Sequence, residues 1–151
     1  ARLCKSAQGT TSFNVSPDIR LVKSTAETRE YAIIIKSSPA ACTGAGCSRL
    51  LWSLMFPINP ACASALQAHP LVVQGAKRSA HYDKALCLIK YSGLSLRPKE
   101  GESIAATLTL PAGGRCSDLA EVCQGGSCKV ALADRRWVAT YRCDVRVVFA
   151  T

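Results

Sequence analysis

The chain has 151 residues, 48% hydrophobic but only 6% aromatic, enough for one domain whose core rests on aliphatic side chains. Its 19 basic and 10 acidic residues give a net charge of +9, which favours acidic partners over basic ones, and no apolar run approaches the ~18 residues of a membrane span. Nine cysteines in 16.0 kDa argue against a reducing compartment unless metal is bound, so a secreted, oxidised protein is expected, with one thiol unpaired or joined to another chain.

The chain opens at Ala1 without a basic-then-apolar leader, as a mature chain or an excised fragment would. Thr10 to Val15 and Asp18 to Lys23 read as two short strands around Ser16-Pro17, because proline restricts its predecessor to extended geometry and cannot donate to a ladder. Asn14-Val15-Ser16 is an N-glycosylation triplet, which makes Asn14 a candidate attachment site. From Tyr31 to Lys36, three consecutive isoleucines suit a strand covered on both faces. Ser37-Ser38-Pro39 breaks it, and Cys42 to Cys47 forms a small-residue loop. Leu50, Leu51, Leu54 and Met55 then recur at helical spacing, with Ser48 to cap and Pro57 to stop, so an amphipathic helix is expected here with Trp52 packed among its leucines.

Ile58 to Ala68, around Cys62, carries no clear period. Leu71 to Gln74 reads as a strand ended by Gly75, and Lys77 to Lys84 as a polar, basic connection. An apolar strand from Lys84 to Leu96 surrounds Cys87 and bends at Gly93. Arg97 to Glu102 then resembles a hairpin turn, with Ser103 to Leu110 as the returning strand.

The stretch from Cys116 to Cys143 holds four of the cysteines. Asp118 and Glu121 form a capping box for a short helix, Gly125-Gly126 ends it, and Ser127 to Ala133 reads as a strand. After the Asp134-Arg135-Arg136 turn, Trp137 to Tyr141 and Val145 to Phe149 read as two more strands, the last at an edge. A Cys128–Cys143 bridge would close about fifteen residues and contribute ~3 kcal/mol, although spacing alone does not fix connectivity. The fold expected is mainly β, a disulfide-bonded β-sandwich-like domain with two short α-helices.

Cys4, Cys42, Cys47, Cys62, Cys116, Cys123, Cys128 and Cys143 are the candidates for disulfides, which leaves Cys87 as a buried, inert free thiol. The Cys-x4-Cys pairs at 42/47 and 123/128 are spaced too loosely for zinc half-sites, so neither metal nor cofactor is expected. His69 and His81 are the only histidines. No Gly-x-Ser-x-Gly elbow supplies a serine for His81-Tyr82-Asp83, and the acidic residues are scattered through polar turns, so no catalytic residue is assigned. Among the basic positions Lys77, Arg78, Arg135, Arg136, Arg142 and Arg146, only Trp137 and Tyr141 supply aromatic rings, which argues against nucleic acid. A tryptophan beside arginines can stack on a sugar ring while the guanidiniums bind hydroxyls or carboxylates; Trp137, Arg135, Arg136 and Tyr141 are thus the candidate contacts for a glycan or polyanion.

Ser16-Pro17-x-x-x-Leu21, Cys42, Cys47 before Leu50-Leu51, Phe56-x-Ile58, Cys62 and Leu94-x-Leu96 form one pattern with the segment that starts at Cys116. That segment runs Cys116-Ser117-Asp118-Leu119-Ala120-Glu121-Val122-Cys123, then Gly125-Gly126, Cys128, Ala131-Leu132 and Asp134, and the whole resembles the pherophorin domain. Pherophorins are extracellular matrix and cell-wall glycoproteins of volvocine green algae. Only Cys4 answers the family's Phe-Pro-x-Cys-x-Cys opening, and Cys143-Asp144-Val145 stands where Cys-Cys-Pro is common. The resemblance implies one pherophorin-like domain over residues 1–151, part of a longer secreted glycoprotein with hydroxyproline-rich rods. It further implies a non-catalytic assembly module of a matrix, wall or cell or flagellar surface. Its partners would be glycans, glycosylated hydroxyproline-rich rods or sister copies. A specific carbohydrate-binding lectin or adhesin head is the alternative.

Overall fold

Alternation of buried and outward residues along the longer strands shapes the molecule. A computed structural model describes residues 13–37, 50–99, 101–123, 127–135 and 139–149. In β2 (Thr28–Ser37), Tyr31, Ile33 and Ile35 are buried while Ala32 and Ile34 are half-buried and Lys36 is exposed. This strand covers the core on one face only, not on both as the isoleucine run suggested. The same alternation runs through β8 (Ser103–Pro111), where Ile104, Ala106, Leu108 and Leu110 turn inward.

The remaining strands are β1 (Phe13–Ser24), β3 (Ser53–Pro57), β4 (Leu71–Val73), β5 (Ala76–Arg78), β6 (His81–Asp83), β7 (Leu88–Tyr91), β9 (Ser127–Ala133) and β10 (Ala139–Val148). All belong to one sheet in the order β5-β4-β8-β2-β1-β10-β9-β3-β7-β6, antiparallel except where β1 meets β10. Laid flat, ten strands at ~4.8 Å spacing would put the edges about 43 Å apart. Yet the edge strands β5 and β6 are separated in the chain only by Ser79 and Ala80, a link that reaches at most ~11 Å. The sheet must therefore curl until its edges meet. Arg78 closes the gap by donating to Gly93 O at 3.2 Å and Leu94 O at 3.3 Å, just beyond β7. Curling brings the two halves of the sheet over a shared core that includes Phe13, Ile19, Ile33, Leu54, Phe56 and Val130. The result is the mainly β, sandwich-like, disulfide-bonded fold expected, with helices α1 (Ala63–Ala68) and α2 (Leu119–Val122).

Bulges do the bending. β1 is one strand, not two, and inserts extra residues against β2 between Val15 and Ile19 and between Leu21 and Lys23. Pro17 lies in the first irregularity, where its missing N–H costs no ladder bond. Another register shift, between Arg142 and Val145, merges the two expected C-terminal strands into β10. That strand lies inside the sheet between β1 and β9, not at an edge.

Other expectations change for identifiable reasons. Residues 53–57 form a strand and not a helix. Leu54 and Phe56 face the main core, while Met55 joins Leu88, Ala131 and Ala133 in a second buried cluster on the opposite face. A strand covered on both sides has no polar face, so its spacing imitates a helix. The neighbouring Leu51 forms an isolated bridge with Leu96. The helix sits instead at 63–68, after a 3-10 turn (Pro60–Cys62) capped by Asn59, whose Oδ1 accepts from Ala61 N at 3.2 Å. Between Lys84 and Leu96 only Leu88–Tyr91 is strand, and the supposed connection at 77–84 includes the end of β5 and all of β6. No hairpin joins β7 to β8. β7 pairs with β3 and β6, whereas β8 pairs with β2 and β4. The 97–102 loop crosses to the end of β2, where Ser37 N donates to Glu102 O and Gly101 N to Ser37 O.

Candidate binding surface

Among the described residues, the cysteines other than Cys87 and several polar side chains around α2 are occupied in holding the fold. Cys62 and Cys116 form a buried disulfide that ties the turn before α1 to the segment before α2. Cys123 and Cys128 form a second, from the end of α2 to β9, so the Cys128–Cys143 closure is replaced by a much shorter loop. Cys143 is also disulfide-bonded. Cys4, Cys42 and Cys47 lie outside the described residues. Cys62, Cys116 and Glu121 bring three metal-type ligand atoms within 4.8 Å, but both sulfurs are consumed in the S–S bond.

α2 is held at both ends. Asp118 Oδ1 accepts from Ala120 N at 2.8 Å, as an N-cap should. Glu121 does not complete the box on Asp118; its Oε1 accepts from Cys116 N at 2.8 Å and so fixes the bridged cysteine. The Tyr31 hydroxyl accepts from Leu119 N at 3.3 Å inside the core, and burial, the largest influence, pushes that phenol's pKa above its ordinary value.

Cys87 carries a free thiol, but it is half-buried on the β6–β7 turn, with φ 53°, and not sealed inside a strand. Beside it, partial burial followed by the Cys87 sulfur pushes the Tyr82 pKa up. Asp83 accepts a hydrogen bond from Lys90 Nζ at 3.2 Å, the main reason its carboxyl lies below the usual range. His81 is exposed and His69 follows the end of α1. Asn14 is exposed on β1, and its Oδ1 accepts from Val15 N at 2.9 Å.

The basic residues singled out from sequence do not form one free patch. Arg78 shares the core side of β5 with Leu71, its strand partner, and is spent on backbone carbonyls. Arg142 pairs with Asp144 at 3.0 Å, and Arg146 with Asp18 at 3.0 Å. Arg135 stacks over Trp52, 5.0 Å from the ring centroid, so Trp52 is half-buried under a cation and not packed in a helix. Trp137 and Arg136 lie outside the described residues; for Tyr141 only the backbone is described, paired with Ala131. Lys77 is exposed on the outer face, together with Arg20 and Lys36, which sequence reading passed over. Their signal was present: each directly follows or precedes a core residue in strict alternation, as Ile19-Arg20 and Ile35-Lys36 show.

A curled β-sheet braced by disulfides is the kind of domain that oxidising, extracytoplasmic surroundings favour. The pherophorin family model matches residues 1–143, and the chain belongs to the pherophorin family, a family of matrix proteins. No curated protein matches it. Among solved structures, an inactive mutant of the GH20 exo-β-N-acetylglucosaminidase from Vibrio harveyi is similar over 92% of this chain and 18% of its own, at 6% identity and TM-score 0.44. The cohesin module of a family 33 glycoside hydrolase from Clostridium perfringens is similar over 96% of this chain and 100% of its own, at 7% identity and TM-score 0.36. The chain thus spans under a fifth of the Vibrio enzyme's length. Among the described residues, no helix is long and apolar enough to cross a membrane.

Proposed function

We propose that the chain is a non-catalytic assembly module of an extracellular matrix, cell wall or cell surface. Its exterior engages glycans, glycosylated hydroxyproline-rich rods or related domains. Membership of a matrix-protein family over residues 1–143 carries this reading. The structure supports it in two ways. Disulfides belong to oxidising, extracytoplasmic surroundings, and two of them hold the α-helical corner of the sheet. Polar groups around that corner are committed to backbone amides, which leaves the charged exterior as the working surface. Asn14, exposed on β1, is the proposed site of an N-linked glycan.

The test is retention of the pure, unreduced module on isolated matrix glycans and glycoproteins, with glycosidic and ester substrates offered in parallel. Retention on several glycans without turnover is expected. Steady hydrolysis of any substrate would instead make the chain an enzyme. The stacking on Trp52 of Arg135, one of the four glycan contacts expected from sequence, favours a second reading, a selective lectin. A lectin would select one oligosaccharide and lose it on Trp137→Ala.

A further inference from the structure

Register sets six residues from six successive strands side by side. Lys77, Val72, Thr107, Ala32, Arg20 and Val148 are Cα partners in turn across β5, β4, β8, β2, β1 and β10. Directly paired residues project from the same face, and this is the outer one, because their neighbours along the strands, such as Leu71, Ala106, Ile33 and Ile19, are buried. Lys77 and Arg20 are exposed, with short, uncharged, half-buried side chains between them. Four strand steps separate the two cations, about 19 Å measured along the sheet. From Lys77 to Arg20 the row is therefore a strip of short side chains with a cation at each end.

A third cation stands on the same face. Lys36 is exposed between Ser103 and Asn14, four positions along β2 from Ala32, or about 13 Å. Acidic groups nearby do not cancel these charges. Glu30 is taken by Lys23 at 3.8 Å, and the single Asp18 carboxylate lies between Arg146 at 3.0 Å and Arg20 at 3.5 Å. A second copy of the chain would bring +9 against +9, and a neutral polymer would leave the cations unused.

We infer that this strip docks an acidic polysaccharide bearing sulfate or uronate groups. The polymer lies across the strands with its anions on Lys77, Arg20 and Lys36 and its rings over Val72, Thr107 and Ala32. The Thr107 hydroxyl supplies a hydrogen-bonding group on an otherwise apolar strip. The inference rests on the matrix role proposed above and narrows it to one ligand class and one face, on the other half of the sheet from Trp52 and Arg135.

Three unreduced proteins test it by their affinity for dextran sulfate, with neutral dextran as the comparison. They are the wild type, the face variant Arg20→Gln/Lys36→Gln/Lys77→Gln, and the control Lys84→Gln/Arg97→Gln/Arg115→Gln. The control removes the same charge from exposed loop positions off the face. All six side chains are exposed, and equal urea midpoints verify that the fold is kept. The wild type is expected to bind dextran sulfate and not dextran. The face variant should bind at least about tenfold more weakly, with a shallower dependence on salt, while the control stays within about threefold. Equal losses in the two variants would overturn the location and leave the matrix role standing. No binding of the wild type to dextran sulfate at low salt would overturn the ligand class, and the matrix role would then stand or fall on retention by isolated matrix.

Discussion

Tyr31 and Tyr91 are both fully buried, yet their hydroxyls have opposite standing. Tyr31 accepts from Leu119 N, whereas the Tyr91 hydroxyl has no hydrogen-bond partner among the described residues. Removing the first orphans a buried amide; removing the second relieves an unsatisfied group. Tyr31→Phe should lower stability by roughly 1–3 kcal/mol in urea unfolding, and Tyr91→Phe should be neutral or stabilising. Equal losses from the two would contradict the assignment. Little of this contrast was legible in advance, because a tyrosine's partner comes from a distant segment: residues 31 and 119 meet only once β2 and α2 pack. The Asp118 cap was legible, since a cap reads its own helix, but Glu121 turned to Cys116 because the disulfide places that amide within reach.

At the scale of elements, the two disulfides differ most in the loops they close. The sequence separation is 54 for Cys62–Cys116 and 5 for Cys123–Cys128. Loop-closure entropy then assigns ~4 kcal/mol to the first and ~2 kcal/mol to the second. Unfolding of Cys62→Ala/Cys116→Ala and Cys123→Ala/Cys128→Ala variants should reproduce that order; a larger loss from the short bridge would reverse the account. β8, with one wet face, was legible from alternation, whereas β2 was legible as a strand from its isoleucine run but not as one with a wet face. β3 was not legible as a strand, because burial on both faces erased the period-two signal, and α1 was hidden by its brevity although Asn59-Pro60 marked its approach. β7 and β8 were legible as strands but not as non-partners, since local spacing suggests a hairpin and cannot foresee that β2 and β4 would capture β8.

For the whole molecule, the Ser79-Ala80 link brings the edges of the curled sheet together and Arg78 fastens the seam by gripping Gly93 and Leu94 across the gap. Arg78→Met keeps much of the aliphatic stem and removes the grip. It should cost about 1–3 kcal/mol and speed amide exchange in β5 ahead of β2. Uniform acceleration across both strands would contradict a local seam. The same curling presents Lys77, Arg20 and Lys36 on one continuous outer face, while the +9 charge legible from composition said nothing about where the cations converge. The most direct measurement of the central claim is co-sedimentation of the unreduced module with isolated extracellular matrix across a salt series, with soluble competitors. Binding should be strong at low salt, fall as salt rises, and be displaced by dextran sulfate but not by dextran. Failure to sediment with the matrix at low salt would contradict the account.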